Sequence, residues 1–280
     1  MRTTIILIFL AFISCCCGQT TKKQAETTNN IEQQEVLFRQ IVMQDSGYLQ
    51  KKEALYLLSM AKIVDSTDEY YEENEKYIKE NDTIAKYYKM ANGNYIFLIE
   101  YYFGGRGNSN IIIEFSPQGE VVKKDIYSES CCGYSMPLGY FNKWGDFFSL
   151  KGCECAMGGI GSNDLFLFKE VTSLDSLNRL PLSCWCSACG DILDDDKYTI
   201  PLCSGTVKKI EKDSLIISYE SRVEIFSFIG EGSELLETID KKYFDILYIY
   251  KDNQWRIANK EDYENLNNTC FDMNVFLEFR

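Results

Sequence analysis

The sequence predicts an α+β protein that is mainly β. N-terminal helices precede an antiparallel meander folded as a sandwich, an open barrel or a curved sheet, with a cysteine-rich irregular segment. Three observations point there. Apolar residues recur at three- and four-residue spacings up to Val64, and after Asp82 they alternate or run in short blocks. The later blocks are joined by tight turns, which favour antiparallel neighbours. Eight of the 12 cysteines fall between positions 131 and 203.

The elements follow in order. From Ile31 to Val64 the pairs Leu37/Ile41 and Phe38/Val42, then Leu57, Ala61 and Val64, mark helical faces. Asp45-Ser46-Gly47 interrupts them with turn chemistry, so two short antiparallel helices are expected. Asp65 to Asp82 carries eight acidic and two basic residues; Ser66-Thr67-Asp68-Glu69 has the form of a capping box. A solvated helix resting Tyr70 and Tyr77 on the sheet accounts for this stretch better than an acidic docking face.

Asn92-Gly93-Asn94 lies between Tyr87–Ala91 and Tyr95–Ile99, a strong hairpin signal. Ser116-Pro117-Gln118-Gly119 places Pro at the second position and Gly at the last of a type I turn, between strands over 110–115 and 120–127. Tyr140-Phe141 and Phe147–Leu150 surround residues 142–146, and Asp164 to Phe168 adds a strand. Thr172 to Ile200 shows little strand pattern and reads as irregular. Strands over 206–211 and 215–219 flank Lys212-Asp213, followed by 223–229; strands over 243–250 and 255–257 flank residues 251–254. Phe244 to Tyr250 is apolar on both faces, as a central strand would be.

Composition excludes several function classes. With no histidine there is no Ser-His-Asp or Cys-His pair and no imidazole-ligated metal. A net charge of −13 speaks against nucleic acid as a partner. The Gly104-Gly105-Arg106-Gly107-Asn108 loop lacks the Lys-Ser/Thr of a phosphate cradle. Asp191 to Asp196 lacks the residue order of a calcium loop and reads as an acidic surface turn. The tyrosine doublets at 87/88 and 101/102 read as alternating core and solvent positions rather than as a sugar platform.

Arg2 precedes an unbroken apolar stretch, Ile5 to Ile13, long enough for a signal sequence and too short to span a bilayer. Ser14 then offers a small residue before Cys15. Phe12-Ile13-Ser14-Cys15 resembles the lipobox of bacterial lipoproteins, with Phe where Leu is usual; Cys16 and Cys17 follow. The resemblance covers residues 1–18 alone. It implies removal of residues 1–14 and lipidation of Cys15. It also implies attachment to the membrane in the cell envelope, the outer membrane rather than the inner, because Cys16 rather than Asp follows the modified residue. Residues 15–30, polar beyond the cysteines, then serve as anchor and tether. Residues 31–82 form a helical segment and residues 83–280 the β-rich, cysteine-containing domain.

After the leader, Cys131, Cys132, Cys153, Cys155, Cys184, Cys186, Cys189 and Cys203 cluster, with Cys270 left over. In an exported chain they are expected to be disulfide staples, each close pair reaching a distant one. The alternative is a thiolate site for zinc or copper centred on Cys184, Cys186 and Cys189, because Cys186-Ser187-Ala188-Cys189-Gly190 looks like a zinc knuckle. The leading expectation is a non-catalytic binding or structural role at the envelope, with a protein or glycan partner and no cofactor. Metal binding comes second, and a glycan hydrolase working through two carboxylates third.

Overall fold

The computed structural model describes residues 33–64, 79, 82–102, 108–127, 138–156, 160–173, 176–177, 179–186, 192–194, 196–229 and 232–271. Two antiparallel sheets dominate them. The leader, the acidic stretch 65–78, the 103–107 loop, Cys131, Cys132 and Cys189 lie outside the described residues.

The first sheet has the order β1-β2-β3-β4-β5: Ser46–Gln50, Thr83–Lys89, Tyr95–Tyr102, Asn108–Phe115 and Val121–Tyr127. Its β2–β3 and β4–β5 hairpins turn where the sequence predicts. Met90 N–H donates to the Asn94 carbonyl at 2.7 Å, and Gly119 N–H to the Ser116 carbonyl at 2.9 Å. The buried Glu114 carboxylate of β4 accepts from Asn94 Nδ2 at 2.6 Å, which ties the turn of the first hairpin to β4.

The N-terminal part departs from two antiparallel helices. A helix over residues 33–41 (α1) and a second over Lys51–Met60 (α2) form, but Ser46–Gln50 is the strand β1, paired with β2 from Ser46↔Tyr88 to Gln50↔Thr83. The turn chemistry of Asp45-Ser46-Gly47 loses to two tertiary gains. Leu49 is buried in the core, and Gly47 lies against the Tyr87 ring so closely that an added Cβ would be 2.8 Å from Cε1.

The second sheet runs β14-β13-β12-β11-β9-β8-β7-β6, with β10 pairing beside β11. The strands are Asn142–Trp144 (β6), Phe147–Ala156 (β7), Ile160–Phe168 (β8), Leu180–Cys186 (β9), Ile192–Asp194 (β10), Lys197–Glu211 (β11), Ser214–Ile229 (β12), Gly232–Lys251 (β13) and Gln254–Ile257 (β14). A short helix, α3, spans Lys260–Leu266. The segment 172–200 is therefore not irregular throughout. Leu180–Cys186 is an interior strand with β8 on one side and β11 on the other. Its alternation escapes a local reading because Pro181, Ser183 and two cysteines stand where aliphatic residues are expected, and a bulge at Asn163/Asp164 shifts its register.

Three cores show how the layers stack. α1 and α2 pack with Phe97, Ile99, Ile111, Ile113 and Phe115 on one face of the first sheet. Ile96, Leu98 and Ile112 on its other face meet Phe141, Phe148, Leu150, Phe166 and Phe168 from the β6–β8 end of the second sheet. Both sides of the β3 and β4 strands are thus covered, which explains their near-continuous apolar runs. Tyr88 joins this second interface while Tyr87 is buried in the first, so that doublet has no solvent-facing member.

The third core lies on the opposite face of the second sheet and draws on Phe147, Leu165, Leu167, Leu182, Ile217, Tyr219, Ile246, Tyr248, Trp255 and Leu266. Strands far apart in the sheet order meet there. Trp255 of β14 donates its indole N–H to the Leu167 carbonyl of β8 at 3.2 Å. Its ring centroid lies 5.0 Å from that of Phe147 on β7. The sheet is therefore strongly curled around this core, with a seam between β14 and β7–β8 crossed by side chains rather than by ladder pairing. At Gly205 on β11 an added Cβ would be 2.7 Å from the Tyr219 ring and 2.9 Å from the Leu182 carbonyl oxygen, so only glycine fits the curve there.

β13 lies between β12 and β14 in the sheet, but it is not buried on both faces. Ile246 and Tyr248 are buried, but Ile249 on the other face is exposed. Beyond Val223 and Ile239 the β12–β13 hairpin runs past the core. Its outer end carries an apolar row across four strands, with partners Ile192↔Tyr198, Tyr198↔Phe226 and Phe226↔Leu235.

Candidate functional site

The seam of the curled sheet forms a cleft of about 340 Å³. Three separate stretches shape it. The end of β8 and the segment after it supply Leu167 to Thr172, Ser176 and Leu177. The β13–β14 turn supplies Tyr250 and Asp252 to Gln254, and β5 of the first sheet contributes Lys123. The turn is built locally: Asp252 and Asn253 both take positive φ, 54° and 61°, as the mirror-image two-residue hairpin turn requires. Trp255 and Phe147 set the turn's position by pinning β14 across the seam.

The polar groups of the cleft are held by partners both within it and beyond it. Lys169 Nζ bonds Asp213 Oδ1 at 3.1 Å and stands 4.5 Å from the Phe147 ring centroid and 5.0 Å from that of Tyr250. Lys123 Nζ bonds Glu170 Oε2 at 2.9 Å, joining the two sheets at the rim. Arg256 Nη2 reaches Asp252 Oδ2 at 3.0 Å, and Tyr127 donates its hydroxyl to the Thr172 carbonyl at 2.8 Å. Burial raises the Tyr250 phenol above the ordinary tyrosine value; Lys169 opposes this, and Glu170 and Asp213 add to it. At neutral pH Tyr250 is a neutral donor and acceptor. The lining thus offers ammonium donors, carboxylate and phenol acceptors and an apolar floor of Phe168, Val171 and Leu177. Such a set has the chemistry to hold a small polar molecule bearing an apolar group.

The cysteines occupy another part of the same sheet. Cys184 on β9 and Cys203 on β11 are register partners, and both are buried in the third core. Cys203 is disulfide-bonded, and its partner lies outside the described side chains. Cys184 carries a thiol whose pKa is pushed up to about 12, chiefly by burial, with the Asp164 charge adding and a hydrogen bond to the Cys203 backbone opposing. Cys186 stands two residues along β9, opposite Ile160. Cys153 and Cys155 on β7 pair with Asn163 and Gly161 of β8. They flank the row that runs Glu154–Ser162–Cys184–Cys203 and do not lie in it. Among the described cysteine side chains, Cys184 and Cys203 stand directly side by side. Cys15, Cys131, Cys132 and Cys189 lie outside the described residues. Among the described residues no group of three or more cysteine or carboxylate side chains is placed to hold a metal ion.

The Cys184 environment gives a direct expectation. A thiol with a pKa near 12 is about one part in ten thousand thiolate at pH 8. An alkylating reagent at that pH should leave Cys184 unmodified in the folded chain and label it fully after denaturation, read by peptide mapping. Labelling of Cys184 in the folded protein would contradict its placement in the core.

Sequence reading finds the Lys251–Gln254 turn but not the cleft, because the lining residues are adjacent only once the sheet curls. The paired positive φ of Asp252 and Asn253 is a signal for a tight turn and carries nothing about a cavity beneath it. No family model matches the chain, and neither does any curated protein or solved structure.

Proposed function

We propose that this chain is a lipid-anchored cell-envelope protein, attached through Cys15, that binds a small polar ligand without transforming it. The observation that carries the binding role is the seam cleft: Lys169 and Asp252 are held by Asp213 and Arg256 beyond the cavity and Lys123 by Glu170 at its rim, so it is organised before a ligand arrives. The lipobox-like residues Phe12 to Cys15 support the anchor, and Cys16 in place of Asp at the next position supports the outer-membrane address. Residues 15–30 give the reach between membrane and folded part.

As a buried thiol with its proton held up to high pH, Cys184 weighs against a zinc or copper site at Cys184, Cys186 and Cys189, and it also stands outside the staple reading of the remaining clustered cysteines. The disulfide of Cys203 supports that staple reading. No specific observation favours the glycan-hydrolase reading.

The test fills the cleft. Ser176 is exposed at its rim, so Ser176→Trp should occupy the cavity at little cost to the fold. Wild type and variant are purified from their own envelope, and small molecules carried by each are compared by native mass spectrometry. The reading expects a molecule on the wild-type chain that the variant lacks. Identical spectra, or retention of the molecule by the filled variant, would count against the cleft.

A further inference from the structure

The long hairpin of the curled sheet ends in an open strand edge. β12 pairs with β13 along nearly its whole length, whereas β14 covers β13 only from Tyr248 to Lys251. Just before that stretch the edge is closed by a side chain. Asn259 Oδ1 accepts from Leu247 N–H and its Nδ2 donates to the Asp245 carbonyl, each at 2.8 Å, in the manner of a neighbouring strand. From Ser233 to Phe244 no described residue pairs with the outer edge. Exposed apolar side chains flank it: Leu235 and Leu236 are each 48% exposed, and Tyr243 is 70% exposed. A long edge of this kind is a template for another strand.

The charges along the edge say which strand. Glu234 and Glu237 occupy its first half and Lys241 and Lys242 its second; the further carboxylate, Asp240, stands at the bulge between the two pairs. None of the four is ion-paired within the described chain, although nine ion pairs form elsewhere among the described residues. An acidic half followed by a basic half complements itself when reversed. We propose that two copies of this chain pair antiparallel through the outer edge of β13, about a two-fold axis near Thr238. Glu234 and Glu237 of each copy then lie alongside Lys241 and Lys242 of the other.

The same pairing sets Leu235 of each copy opposite Lys241 of the other across the joined sheets. It also accounts for the edge being tolerated. A two-fold contact consumes the edge of both partners and stops at a dimer, whereas a head-to-tail contact would propagate. The bulge at Asp240, where φ is +52° and the β12–β13 register slips between Ser221 and Val223, limits the ladder to short runs on either side of it.

The experiment uses the full mature chain in density-matched detergent and reads its mass by sedimentation velocity across a concentration series. The wild type should be dimeric. Reversal of both lysines, Lys241→Glu with Lys242→Glu, should raise the dissociation midpoint at least about tenfold, since four acidic groups would then face four others. Adding Glu234→Lys and Glu237→Lys to that variant restores the complement and should restore the dimer. In the envelope itself, Thr238→Cys should give a covalent dimer on oxidation, because this position meets its own copy at the axis. A monomeric wild type overturns the proposal, as does a dimer indifferent to the lysine reversal. A quadruple variant that folds but stays monomeric also overturns it.

Discussion

Trp255→Ala is expected to lower the stability of the chain by about 3–5 kcal/mol, the loss typical of a large buried aromatic cut back to a methyl. Trp255 is 5% exposed and packs on Phe147 and on Tyr250, 5.2 Å away between centroids. More than area is lost. The indole N–H satisfies the Leu167 carbonyl in the seam, and its removal leaves that acceptor without this donor at the point where β14 is held to β8. Trp255→Phe keeps most of the packing and deletes the hydrogen bond, so it should cost about 1–3 kcal/mol, the range of a lost buried hydrogen bond plus a small void. Urea unfolding at pH 7 measures both. A loss below about 1 kcal/mol for the alanine variant would mean that the seam is held by other contacts.

Lys86→Met is expected to cost about 1.5–3 kcal/mol, the range for a buried hydrogen bond with a charged partner. Lys86 belongs to β2 of the first sheet, is 7% exposed, and donates from Nζ to the Phe141 carbonyl at 2.5 Å and to Asn142 Oδ1 at 3.3 Å, at the start of β6 in the second sheet. Its ammonium also lies over the Tyr48 and Tyr88 rings, 5.1 and 5.4 Å from their centroids. Methionine keeps the stem and its packing and removes the charge and the donors. Burial works to lower the Lys86 pKa, but hydrogen bonds with the Tyr88 and Tyr48 phenols more than offset it, and the folded-state value is raised. A lysine raised on folding contributes fully below its unfolded pKa and loses that contribution as pH climbs through the folded value. The difference between wild type and Lys86→Met should therefore be constant from pH 6 to 8 and shrink only in strong alkali. A difference that vanishes near neutrality would contradict this placement of the charge.

Both residues sit where one sheet region is tied to another, and such ties are where sequence and structure part company. Local signals survive well. Asn92-Gly93-Asn94, Ser116 to Gly119 and Lys212-Asp213 all turn the chain where their backbone preferences require. Hairpins depend on residues close in the sequence, so a local reading reaches them. β1 does not announce itself, because its existence depends on β2 offering an edge thirty-odd residues away. β9 is masked for the same reason: two neighbouring strands stabilise a segment in which proline, serine and two cysteines interrupt Leu180, Leu182 and Trp185.

The cleft was illegible for a stronger reason. Lys123, Lys169 and Asp252 meet only because the second sheet curls and the first packs onto its outer face, and neither curvature nor layer order is written in any window of the chain. Of the cysteines, sequence fixes number and spacing. The burial that silences Cys184 arises from β8 and β11 closing on either side of it.

The most direct test of the account as a whole is the intact mass and N-terminal peptide of the chain purified from its native membrane. The account predicts a chain that begins at Cys15, carries a thioether-linked diacylglycerol on that residue, and leaves the membrane fraction when Cys15 is changed to serine. A chain that keeps residues 1–14, begins elsewhere without lipid, or partitions identically with Ser at position 15 would contradict it.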